Sequence, residues 1–115
     1  MKEKDITPRI LKYCRDKIGT CAVEIKYCKG GTLPKDALKE HQYHALKLAA
    51  GAGLCWKIPD AGYQNPFDGF VLKGVPAYVA VWWEKHKGFT LEEVQDWKFG
   101  LSAKPKLYRI IKLST

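Results

Sequence analysis

The sequence predicts an α/β fold, a small mixed β-sheet flanked by helices, on three observations. Apolar residues recur at helical spacing in two segments, near residues 7–18 and 34–51. They alternate at strand spacing over residues 20–27. Residues 77–83 are apolar on both faces. A strand of that last kind belongs in a sheet covered on both sides, which is how helices and sheet combine in α/β proteins.

The 115 residues, 46% of them apolar, suffice for one core, so a single domain over residues 1–115 is expected. Thr7 followed by Pro8 reads as an N-cap and first turn. Ile10, Leu11, Cys14 and Ile18 then share one helical face until Gly19. From Cys21, Val23, Ile25 and Tyr27 alternate with Ala22, Glu24 and Lys26, which is strand behaviour. After the Lys29-Gly30-Gly31-Thr32 loop, a second helix is expected to open at Pro34 or Lys35 and to end near Gly51. Leu54–Ile58 reads as a short buried strand, and residues 59–66 as a loop. Residues 67–73 and 77–83 read as a hairpin turning at Gly74-Val75-Pro76. Phe89-Thr90 follows as a short strand, residues 91–99 as a helix and residues 107–113 as a last strand.

Twenty Lys and Arg against 12 Asp and Glu give a net charge of +8. Such a field concentrates polyanions, of which phosphate backbones are the commonest in a cell. No segment approaches the ~20 apolar residues needed to cross a bilayer. No apolar stretch follows the charged start Met1-Lys2-Glu3-Lys4-Asp5, so no membrane association and a cytoplasmic location are expected. Cys14, Cys21, Cys28 and Cys55 lack the tight Cys-x2–4-Cys knuckle of a structural zinc site, and read as reduced, mostly buried thiols. Trp82, Trp83 and Trp97 read as core rather than as base-stacking platforms.

The chemically suggestive residues are Glu24 and Lys26. At i and i+2 of a strand they share a face. A carboxylate there can ligate a hard cation and an ammonium can act on the attacking water or the developing phosphorane charge. The plainer reading is an edge strand with a solvated Glu–Lys pair. Downstream, Gln42 projects from the apolar face of the second helix towards the sheet, where a buried amide needs partners; the plainer reading is a tolerated polar residue at a helix margin. His41 flanks the same stripe.

The run Ala22-Val23-Glu24-Ile25-Lys26, then Leu33-Pro34, His41-Gln42 and a further apolar strand resembles the Holliday-junction-resolvase branch of the PD-(D/E)XK nucleases. Lys57-Ile58-Pro59-Asp60 and Pro66-Phe67-Asp68-Gly69-Phe70 resemble the same group, and the likeness covers roughly residues 10–83. It implies a restriction-endonuclease-like core and a metal-dependent DNA endonuclease, structure-specific for Holliday junctions, used in DNA recombination and repair. Mg²⁺, or Mn²⁺ in its place, is the implied cofactor. Glu24 is then a metal ligand, Lys26 the residue that orients or activates water, and Gln42 their support. Branched DNA is the implied substrate and a symmetric homodimer the implied form, with the apolar hairpin as a surface for it.

One part of the pattern is missing. The family's first acidic ligand lies on a strand before Glu-x-Lys, and no room for that strand exists between Ile18 and Thr20. Asp68 is the proposed substitute, provided its strand lies beside that of Glu24; the alternative is that Asp68-Gly69 is a turn. Lys29, Lys35, Lys39 and His41 are the expected nucleic-acid contacts, with Lys47, Lys104, Lys106, Arg109 and Lys112 as further backbone-tracking charges. A second reading keeps the scaffold but not the chemistry: a non-catalytic basic nucleic-acid-binding domain.

Overall fold

The computed structural model describes residues 3–59 and 65–113. Its main sheet has four strands in the order β1-β4-β5-β6, where β1 is Ala22–Cys28, β4 Ala77–Trp83, β5 Gly88–Glu93 and β6 Ile111–Lys112. Helix α1 (Glu3–Lys17) packs on one face and α2 (Glu40–Ala50) on the other. β1 and β4 run parallel, in the register Glu24 to Val79, and α2 lies in the crossover between them. β4–β5 and β5–β6 are antiparallel. The protein is therefore an α/β fold on a small mixed sheet flanked by helices. No helix among the described residues is long and apolar enough to cross a membrane.

Helix α1 begins at Glu3, ahead of the cap expected at Thr7. The Thr7 hydroxyl instead donates to the Glu3 carbonyl at 3.2 Å, and Pro8 lies inside the helix. Burial overrides the local signal: Ile6, at 1% exposure, extends the Ile10–Cys14 stripe backwards by one turn. Glu3 and Asp5 in the first turn, and Arg15 and Lys17 in the last, suit the helix dipole. Gly19, at φ +96°, closes the helix as expected, with its N–H on the Cys14 carbonyl.

Helix α2 starts at Glu40 rather than at Pro34 or Lys35. Leu33, buried at 2%, exchanges backbone hydrogen bonds with Ala103 and holds the chain extended there. Leu38 is buried before the helix begins, so residues 34–39 are committed to a turn.

The expected hairpin of residues 67–73 with 77–83 does not form. β3 (Gly69–Leu72) pairs with β2 (Leu54–Lys57) in a separate two-stranded sheet, and β4 enters the main sheet between β1 and β5. The apolar content of β4 decides this. Val79, Val81 and Trp83 pack under α2, while Ala80 and Trp82 pack under α1, and all five are buried. β2 is not the buried strand expected of it: Cys55, Trp56 and Lys57 are exposed. Gly69 is required here because a Cβ would meet the Trp56 carbonyl at 2.4 Å across the pair.

Residues 91–99 are not a helix. β5 continues to Glu93, followed by a single 3-10 turn, Val94–Asp96. Leu91 packs on the α1 side, while Val94 and Trp97 join the α2 side. A strand running into a turn thus produces the three-residue spacing that mimics a helix. The last strand shortens to β6 behind a 3-10 turn at Leu107–Arg109. Trp82, Trp83 and Trp97 are core residues. The four cysteines are unpaired; Cys14 and Cys28 are buried, whereas Cys55 is exposed, contrary to the reading of it as one of a mostly buried set.

Candidate functional site

Strand alternation in β1 sends Val23, Ile25 and Tyr27 to the α1 side. Ala22, Glu24, Lys26 and Cys28 therefore face α2, in line with the buried Val79, Val81 and Trp83 of β4. Gln42 occupies the first turn of α2, directed at this face. Its Oε1 accepts from Lys26 Nζ at 2.9 Å and from the Lys39 backbone N–H at 3.0 Å. The second bond is the reciprocal half of a capping box, which locks the amide against the helix start; Lys39 itself has no acceptor to complete the box. Lys26 Nζ also lies 3.9 Å from Glu24 Oε2, and the two side chains are 18% and 30% exposed.

Acid, amine and amide thus converge, through one long-range hydrogen bond, at the seam between β1 and the start of α2. Lys26 loses its freedom to swing and is aimed by Gln42, so its charge stays beside the carboxylate. A phosphate oxygen brought to the open side of this seam meets a fixed ammonium, and a hard cation meets the Glu24 oxygens.

Asp68 is not part of this arrangement. It is exposed, directly precedes β3, and its carbonyl accepts the Ile58 N–H at 2.7 Å in the separate hairpin. The strand beside β1 is β4, not β3. The condition on which Asp68 substitutes for the missing acid is therefore not met by strand adjacency. Asp60 lies outside the described residues. Along the row of Glu24 on the sheet, the next acid is Glu92, which pairs with Val79 on the far side of β4. Buried Val79, within the cluster that contains Leu46, Val94 and Trp97, separates the two. Among the described residues, no group of three or more His, Cys, Asp and Glu is gathered to hold an ion. Glu24 fits a hard cation as one ligand, but among the described residues the strand beside it, β4, carries no second carboxylate.

The expected nucleic-acid contacts fall in two places. Lys29 is exposed just after β1. Lys35 and Lys39 line one hollow with Glu40 and Phe99. His41 lines the adjoining open groove, of about 950 Å³, with His44, Lys47, Tyr43 and Phe99. Tyr43 and Phe99 stack at 4.6 Å with an interplanar angle of 17°, and Lys47 Nζ sits 5.4 Å from the Tyr43 ring. Sequence reasoning missed this aromatic pair, and no local signal joins residues so far apart in the chain.

At the other end of β4, Glu84 accepts from Trp82 Nε1 at 2.6 Å and from the Lys87 ammonium, and the Tyr27 hydroxyl joins them. The Lys87 hydrogen bond, followed by that of Trp82, holds its carboxyl down at about 2. Burial, reinforced by nearby Cys21, pushes the Cys14 thiol up to about 11. These groups stabilise the fold around the site rather than forming part of it. No protein-family model, curated protein or solved structure matches the chain.

Proposed function

We propose that this protein is a metal-dependent DNA endonuclease of the PD-(D/E)XK kind, acting on branched DNA such as a Holliday junction. The observation that carries the reading is the 2.9 Å bond from Lys26 to Gln42 beside Glu24, on one strand-and-helix seam. The net charge of +8 and the band of Lys35 and Lys39, just before α2, with His41, His44 and Lys47 on it supply the attraction for a phosphate backbone. A bound Mg²⁺ would polarise the phosphoryl oxygens and the attacking water. Glu24 is the residue to hold it, and Lys26, oriented by Gln42, is placed for the charge that develops on the phosphate. Gln42 is a positioning residue, acting through Lys26.

A four-way DNA junction incubated with the protein and Mg²⁺ tests this. Cleavage is expected, and Glu24→Gln or Lys26→Ala should each reduce it at least about a hundredfold, the usual cost of losing a charge-stabilising group, while junction binding persists.

The position of Asp68 in a separate hairpin favours a second reading, a nucleic-acid-binding domain that performs no chemistry. Tight, salt-sensitive junction binding with no cleavage in Mg²⁺ or Mn²⁺ would establish it in place of the first. Failure of the unsubstituted protein to bind the junction at low salt would remove both readings.

A further inference from the structure

Two thiols on the α1 side of the sheet take no part in the proposed chemistry. Cys14 lies in the last turns of α1 at 3% exposure, and Cys21, half-buried, directly precedes β1. The turn between them is tight. The Ile18 and Gly19 N–H groups both donate to the Cys14 carbonyl at 2.9 Å, and Gly19, at φ +96°, reverses the chain. The chain thus returns across the end of the helix, and Cys21 packs against the cluster that holds Ile10, Cys14 and Trp82. There the two side chains hydrogen-bond each other, and both lie near Tyr78 of β4.

Sequence spacing alone does not choose this pair. Cys21 stands seven residues from Cys14 and seven from Cys28, so an unfolded chain closes either loop at the same entropic cost. The fold breaks the tie. Cys28 ends β1 in the cluster on the α2 side, and its thiol donates to the Gly30 carbonyl at 3.3 Å. The sheet therefore separates Cys28 from Cys21 and leaves Cys14 in contact with it.

From this placement we infer that Cys14 and Cys21 form a disulfide within the folded chain when it meets a low-molecular-weight disulfide, stapling the end of α1 to the strand that bears Glu24 and Lys26. Cys21, the more accessible thiol, reacts first as its thiolate. Its Sγ bonds one sulfur of the oxidant, the oxidant's S–S bond breaks, and one small thiolate departs. Cys14 Sγ, losing its proton, then attacks Cys21 Sγ and displaces the second small thiolate. Two electrons pass to the oxidant, and the two protein protons end on the two thiols released. Burial holds the Cys14 thiol well above its ordinary range, which makes it a poor first nucleophile, whereas the second step needs no access from solvent. The inference goes beyond the proposed function and holds whether or not DNA is cut.

Oxidised glutathione added to the reduced, folded, whole chain tests it. After alkylation with iodoacetamide in urea, trypsin places the three thiols on separate peptides, residues 13–15, 18–26 and 27–29. The Cys14–Cys21 link is expected to exceed the Cys21–Cys28 link at least about tenfold in the folded chain, against near parity when oxidation is done in urea. Cys14→Ala should trap Cys21 as its mixed disulfide with glutathione, while Cys28→Ala should leave the link unchanged. The oxidised protein should unfold at a urea midpoint higher by about 1 M. The peptide map of the unsubstituted chain decides the matter even where Cys14→Ala does not fold. The inference is overturned by a folded chain that leaves both thiols free, by one that links Cys21 to Cys28 as readily as in urea, or by an oxidised chain whose midpoint does not rise.

Discussion

The bond from Lys26 to Gln42 should appear as a coupling energy. In a double-mutant cycle, Lys26→Met removes the amine while keeping most of the stem, and Gln42→Ala removes the amide. Gln42 Oε1 accepts two hydrogen bonds, at 2.9 Å from Lys26 and at 3.0 Å from the Lys39 N–H. A bond to a charged group contributes about 1.5–3 kcal/mol, and the Lys26 side chain at 18% exposure retains partial solvation, so the lower half of that range applies. Loss of the helix-start bond adds about 1 kcal/mol. Gln42→Ala should therefore cost about 2.5–3 kcal/mol, and Lys26→Met about 1.5–2 kcal/mol. With a coupling of about 1.5–2 kcal/mol, the double variant should be less destabilised than the sum of the single ones. Urea unfolding reads this directly, since a change of that size moves the midpoint by about 1 M. Gln42→Glu keeps acceptors for both donors and should retain most of the stability. Additivity within about 0.5 kcal/mol would mean that Gln42 does not hold the amine, and the positioning role proposed for it would fail with it.

Other consequences are equally accessible. Phe89, at 0% exposure and edge-on to Tyr13 at 5.3 Å, joins α1 to the sheet; Phe89→Ala should cost about 3–5 kcal/mol in the same assay. Glu84 has a carboxyl depressed to about 2 from an ordinary 4.5. Its stabilising contribution is thus fully present above the unfolded value and is lost as pH falls through about 2, and Glu84→Gln should flatten that limb of the urea midpoint against pH. Timed alkylation at mildly alkaline pH should label exposed Cys55 first. Cys14, buried and raised to about 11, should react last, and only as the protein opens.

Elements governed by short-range periodicity were legible in the sequence. The alternation of β1 places Glu24 and Lys26 on one face, the stripe of α2 turns Gln42 to the sheet, and the two apolar faces of β4 identify a central strand. Strand partners were not legible, because pairing depends on distant residues. β3 went to β2 and not to β4, since β4 buries more between β1 and β5. The same limit explains Asp68: its local turn signals say nothing about which strand lies beside it. Leu91, Val94 and Trp97 misled because a strand that bends into a 3-10 turn shares the spacing of a helix. The stacked Tyr43–Phe99 pair joins α2 to a loop beyond β5, and only the assembled fold brings the rings together.

The arm formed by β2 and β3 has its own implication. The chain leaves α2 with the Gly53 N–H on the Leu48 carbonyl at 2.7 Å, and returns with the Val75 N–H on the Ala49 carbonyl at 3.1 Å. Departure and return are thus anchored to neighbouring residues of one helical turn. What lies between is a cassette that can be exchanged without altering the order of strands in the body. Lengthening it is thermodynamically mild, about 0.6 kcal/mol for each doubling. Its outer surface carries Trp56 at 58%, Phe67 at 55% and Val71 at 72% exposure, so this segment is where a lineage can change what the molecule touches while the parallel pair β1–β4 keeps its geometry.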